Sequence, residues 1–144
     1  MNNGIRLSVL VAGIMLSGQI QAEPTRIKPP DGVKVYLISP GNGETVSSPV
    51  LVRFGLKGMG VAPAGEENAK TGHHHLLIDQ DAQAVNLNAP YPFNEQTRHF
   101  GAGQTEVALE LKPGVHTLQL LFGDAKHTSF DPPLMSEKIS ITVK

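Results

Sequence analysis

Apolar and polar residues alternate with a period of two through most of this chain, which restricts it to strands packed on one face. In "VLVRFGLKG", Val50, Val52, Phe54 and Leu56 share one parity while Arg53 and Lys57 take the other. "TEVALEL" sets Val107, Leu109 and Leu111 against Glu106, Ala108 and Glu110, and "SEKISITVK" sets Ile139, Ile141 and Val143 against Lys138, Ser140 and Thr142. One apolar parity in a period of two is the pattern of a half-buried strand. Further strands are predicted over 33–38, 73–79 and 114–123, with one more within 84–98. No segment has a helical period with caps, and 15 Gly and 11 Pro punctuate the runs. The expected fold is all-β: one Ig-like or fibronectin-like antiparallel sandwich of about seven strands over residues 33–144.

What precedes the sandwich reads differently. "MNNGIR" carries one positive charge, "LSVLVAGIML" is a short apolar run, and "SGQIQA" ends in small residues suited to cleavage after Ala22. Residues 1–22 are therefore expected to be a signal peptide, and the Pro-rich 23–32 a flexible lead-in. The run is short for a membrane span, so no membrane association is expected after cleavage, and export to a Gram-negative periplasm follows. The chain has no cysteine, so stability must come from packing rather than disulfides. Loss of Arg6 takes the 12 basic residues to 11 against 13 acidic ones, without a basic cluster, which disfavours a nucleic-acid partner.

The stretch "TGHHHLLID" places His73, His74 and His75 in succession at the start of a predicted strand. In an Ig-like topology that end also receives the loop holding Met59, the "RHFGAGQTE" segment holding His99 and Gln104, and the loop holding Asp124, His127 and Met135. Histidines from three separate segments thus converge, while His116 falls at the opposite end. Strand alternation sends His74 toward the core with Leu76 and Ile78, and sends His73 and His75 together to the outer face. An H-x-H pair offers two imidazoles to one ion. His73, His75, His99 and His127 are accordingly the candidate metal ligands. His74, Met59 and Asp124 are further candidates, and Gln104 is a candidate to orient a ligand histidine from behind. Imidazole suits copper and zinc, and a neighbouring thioether would favour copper.

The motifs "GMGVAPAG", "TGHHHLLID", "HFGAGQTEV", "LKPGVHTLQLLFGD" and "DPPLMSEKISITV" stand in an order that resembles the exported bacterial domain-of-unknown-function family 4399. The resemblance covers roughly residues 45–143. It implies one complete domain and carries no established activity. Some members of that family hold additional histidines in the loop where this chain has "AKHTSF", so that loop offers one imidazole here.

No Ser/His/Asp pattern, phosphate-binding glycine loop or H-E-x-x-H is present, so an enzyme is not expected. Two functions stay open. One is an exported binding module with a His-rich transition-metal site, copper favoured and zinc next, for sequestration or delivery. The other is a metal-free Ig-like interaction domain that docks an envelope protein and uses its histidines as a structural polar network. A metal-dependent hydrolase or oxidase is a third and weaker option.

Overall fold

The computed structural model describes residues 25–144, so the expected signal peptide lies outside the described residues. Ten strands follow in order: β1 (Lys34–Ser39), β2 (Thr45–Val46), β3 (Val50–Lys57), β4 (Gly60–Val61), β5 (Thr71–Ile78), β6 (Thr97–His99), β7 (Glu106–Leu109), β8 (Gly114–Gly123), β9 (Ser129–Met135) and β10 (Ile139–Val143). One sheet has the order β1-β3-β7. The other runs β2-β10-β8-β5-β4, with β6 added to β5 and β9 to β8. The protein is an all-β sandwich. Among the described residues no helix is long and apolar enough to cross a membrane.

The apolar parities meet between the sheets. Val50, Val52 and Phe54 of β3 face Leu76, Leu118, Leu120, Phe122 and Ile141 from the larger sheet, all nearly or fully buried. Each such side chain contributes roughly 1.5–3 kcal/mol through burial, so this layer is the main source of stability. Residues 25–32 lack regular structure yet dock on β9: Ile27 accepts the Asp131 N–H at 2.9 Å, and Arg26 pairs with Asp131 at 3.2 Å.

Four of the ten strands lie outside the sequence expectation. Strands β2 and β4 have two residues each, too few to show a period. Strand β9 contains Pro132 and Pro133, which read as a loop in the sequence because proline donates no ladder hydrogen bond. It pairs as an edge strand on the upper half of β8, while β10 pairs on the lower half. Strand β6, the short antiparallel partner of β5, fixes the placement of the long 79–96 connection.

That connection corrects one expectation. The outer face of β5 and β8 is not open to solvent. Residues 79–96 run back across it and bury a second apolar layer of Leu77, Leu121, Val85 and Tyr91. Strand β5 is therefore buried on both faces from Gly72 to Ile78, which explains why "HHHLLI" shows no alternation of polarity. The strap is held by its own asparagines: Asn94 Oδ1 accepts the N–H groups of Gln96 and Thr97, and Asn86 Oδ1 accepts that of Asn88. Lys138 also pairs with Asp81 near its start.

Candidate metal centre

Register builds the centre. His75 lies directly opposite His99 of β6 on one side and Leu121 of β8 on the other, and His73 lies opposite Gly123. Residues opposite one another in a ladder share a face, so His73, His75 and His99 all project to the strap side. Gly123 leaves the room they need. A Cβ there would approach both His75 Cε1 and Tyr91 Cε2 to 3.2 Å. Gly101 is needed for a similar reason, since a Cβ at that position would strike the ring of His99.

His127 arrives from the β8–β9 connection. Asp124 forms the turn: its Oδ1 accepts the N–H groups of Lys126 at 2.8 Å and Thr128 at 2.9 Å, and its carbonyl accepts that of His127 at 3.0 Å. His127 is thereby held at φ 65°. A non-glycine residue in this left-handed region costs of the order of 1–3 kcal/mol, and the cost aims its imidazole at the other three. The loops of this end are bonded together. Ala64 donates to the Gly101 carbonyl at 2.8 Å, and Gly65 to that of Ala125 at 2.9 Å.

The four rings form one cluster. Their centroids are 4.8 Å apart for His73–His75, 5.1 Å for His73–His99, 4.9 Å for His73–His127 and 4.8 Å for His99–His127. His73, His99 and His127 each offer one nitrogen, and these three atoms lie within 4.8 Å of one another. His75 sits deeper, 5.2 Å from His99 and 6.1 Å from His127 by ring centroid. Zinc–imidazole bonds of about 2.0–2.1 Å would place two ligand atoms no more than about 4.2 Å apart, so the trio needs to contract slightly around an ion. His73 and His75 are fully buried, while His99 and His127 form a half-exposed rim.

Two aromatic residues that sequence reasoning missed flank the rings, Tyr91 buried and Phe93 exposed at the rim. Phe93 stacks on His99 with centroids 4.3 Å apart, and its ring meets His127 at 4.9 Å. Tyr91 packs edge-on against His75 at 4.8 Å, and its backbone N–H donates to the His127 carbonyl at 2.8 Å. The signal was "YPF", an aromatic pair in the turn-rich "NLNAPYPFNEQT", of which Tyr91 is buried against the cluster.

The electrostatics follow from this packing. Burial, helped by the neighbouring histidines, depresses the His75 imidazole to about 2 and that of His73 to about 4, and lowers His99 as well. These rings are neutral at neutral pH, the form in which imidazole binds a metal. Both nitrogens of His73, both of His75 and Nε2 of His99 are buried without a hydrogen-bond partner in the protein.

The remaining candidates fall elsewhere. His74 takes the core face, between Phe54 at 5.2 Å and Phe122 at 5.0 Å, with neither nitrogen bonded and its value lowered by burial to about 4. Met59 packs against the main core as a partly buried apolar side chain. Asp124 is the turn former described above. The Gln104 side chain accepts the Ala102 N–H at 2.9 Å and so closes its own loop, without a bond to a histidine. Met135 lies against the second apolar layer.

A sandwich with a histidine cluster between its larger sheet and a strap defines a class: an all-β domain with a group of imidazoles beside its core. Its family can also be stated. The family described as Domain of unknown function (DUF4399) matches residues 52–144, and the chain belongs to it. No curated protein and no solved structure matches the chain.

Proposed function

We propose that this protein is an exported binding module that holds a transition-metal ion, copper before zinc, through His73, His99 and His127 with His75 beneath them. The leader-like residues 1–22 support export to the periplasm, and sequestration or delivery is the role that suits a site built for binding alone. One observation carries the reading: five buried imidazole nitrogens of the cluster lack a partner in the protein. An unsatisfied buried polar atom costs about 1–3 kcal/mol, so five cost roughly as much as the whole stability of a small domain, about 5–15 kcal/mol. A neutral imidazole gives an ion one lone pair and keeps its other nitrogen as N–H, so an ion held by His73, His99 and His127 would satisfy one of these nitrogens on His73 and the one on His99, and offset part of that cost.

The same observation weighs against the metal-free interaction domain. A structural polar network would join its imidazoles to carbonyls, hydroxyls or carboxylates. Only backbone groups around the rings are bonded in this way, whereas the rings themselves are not.

The test is calorimetric titration of the mature protein with copper and with zinc, alongside His73→Leu and His99→Leu. Binding tighter than about 10 µM, near −7 kcal/mol, is expected for the native chain and should be lost in both variants. The apo melting temperature of His73→Leu should hold or rise, because an unpaired polar ring is replaced by an apolar side chain of similar size. A fall in apo stability with no metal binding in the native chain would favour the polar-network reading.

A further inference from the structure

We infer that the ion the cluster is built for is monovalent copper, Cu(I), in preference to any divalent ion. This rests on the metal-site reading above and adds the charge of the ion.

The donor set carries the inference. Among the described residues, the ligand atoms that come within 4.8 Å of one another belong to three histidines and to no carboxylate. The acidic side chain in the same loop, Asp124, is turned to the backbone, where its Oδ1 accepts two N–H groups. Imidazole ligates as a neutral base. An ion held here therefore keeps its full formal charge. On the inner side the surroundings do little to screen it: Tyr91 packs on His75, and Leu121 and Leu77 form the layer beside the rings, while His99, His127 and the exposed Phe93 form the outer rim. The cost of taking an ion out of water rises with the square of its charge, so a dication pays roughly four times what a monocation does. Sites that hold divalent zinc or copper among neutral ligands compensate with a bound hydroxide or another anion. Here an apolar ring, the exposed Phe93, stacks on one rim histidine and meets the other, beside the place such an anion would take.

Geometry agrees. A set of three imidazole donors suits a closed-shell ion that accepts low coordination. The fourth ring, His75, lies farther from His127 than from His73 and would have to move to make a tetrahedral set for zinc.

The test is an affinity comparison on the untagged mature chain. Cu(I) is titrated anaerobically against a chromogenic Cu(I) chelator. Cu(II) and Zn(II) are each titrated against a competing chelator of known affinity. The expected result is that Cu(I) binds at least about a hundredfold tighter than either divalent ion. For the copper couple a hundredfold preference corresponds to a potential raised by about 120 mV, since each tenfold is 59 mV for one electron. A second arm uses His127→Asp, which places a carboxylate on the exposed rim. It should lower the Cu(I) preference by about tenfold or more and raise Zn(II) affinity. Zn(II) or Cu(II) binding as tight as Cu(I) in the native chain overturns the charge inference and leaves the metal site standing. Failure of all three ions to bind overturns both.

Discussion

The two ends of the larger sheet treat histidine in opposite ways. At one end His116 is satisfied within the protein: Nδ1 meets the Asp79 carboxylate at 2.7 Å and Nε2 meets the Lys112 carbonyl at 2.8 Å. Asp79, held at φ 54°, accepts the Thr117 N–H with its other oxygen. With acceptors on both nitrogens the ring is stabilised as the cation, and the Asp79 hydrogen bond raises its pKa. At the other end, four rings from three segments meet with five buried nitrogens unpartnered, and burial lowers the pKa of three of those rings. The fold thus satisfies His116 within the protein, whereas the cluster rings, like His74 in the core, have buried nitrogens without such partners. Under the proposed function, the partner that the cluster rings lack is the ion.

The largest expected effect separates the ends outright. Replacing His73 or His99 by Leu should weaken metal binding by more than about a hundredfold, beyond the 10–100-fold typical of residues one shell out. His116→Ala should leave the affinity within about twofold. Equal losses at both ends, measured by calorimetry, would break the comparison.

Next in size is the pH dependence of the metal-free protein. The folded values of His73 and His75, about 4 and about 2, lie below the ordinary 6.5 that the unfolded chain regains. Between about pH 4 and 6.5 the unfolded chain thus binds more protons, so apo stability rises with pH through that window and levels off above it. His116 acts in the opposite sense. Its contribution is fully present below about pH 6.5 and is lost as pH rises through its raised folded value. Urea midpoints at pH 5 and pH 7 should differ in favour of pH 7, and His73→Leu should shrink the difference. A higher midpoint at pH 5 would contradict the buried, neutral cluster.

His74 sharpens the comparison from inside the core. Its ring is buried between two phenylalanines without any hydrogen bond, so His74→Leu should stabilise the apo protein by about 1 kcal/mol. A loss of several kcal/mol in urea titration would show that its nitrogens do have partners. An effect of similar size and opposite sign is expected for His116→Ala. One hydrogen-bonded surface histidine should cost about 1 kcal/mol at pH 6 and less at pH 8.

The sandwich was readable because Val50, Val52 and Phe54, and again Ile139 and Ile141, keep strict parity on strands with one buried face. The division of the triplet into an inward His74 and a strap-facing His73 and His75 followed from the same alternation. Their burial was not readable. It depends on residues 79–96 folding back over the sheet, and that segment has neither period nor length signal, only the apolar "YPF". Strand β9 was hidden by its prolines. Asp124 and Gln104 looked like site residues by proximity in sequence. Both are engaged by loop N–H groups, a local competition that spacing does not reveal.

Elemental analysis of the untagged mature protein, purified from copper-replete cells without a metal column, tests the central reading most directly. About one copper per chain is expected, lost in His73→Leu. A metal-free native protein that also takes up copper and zinc no more tightly than about 10 µM would contradict the assignment of the cluster as a metal site.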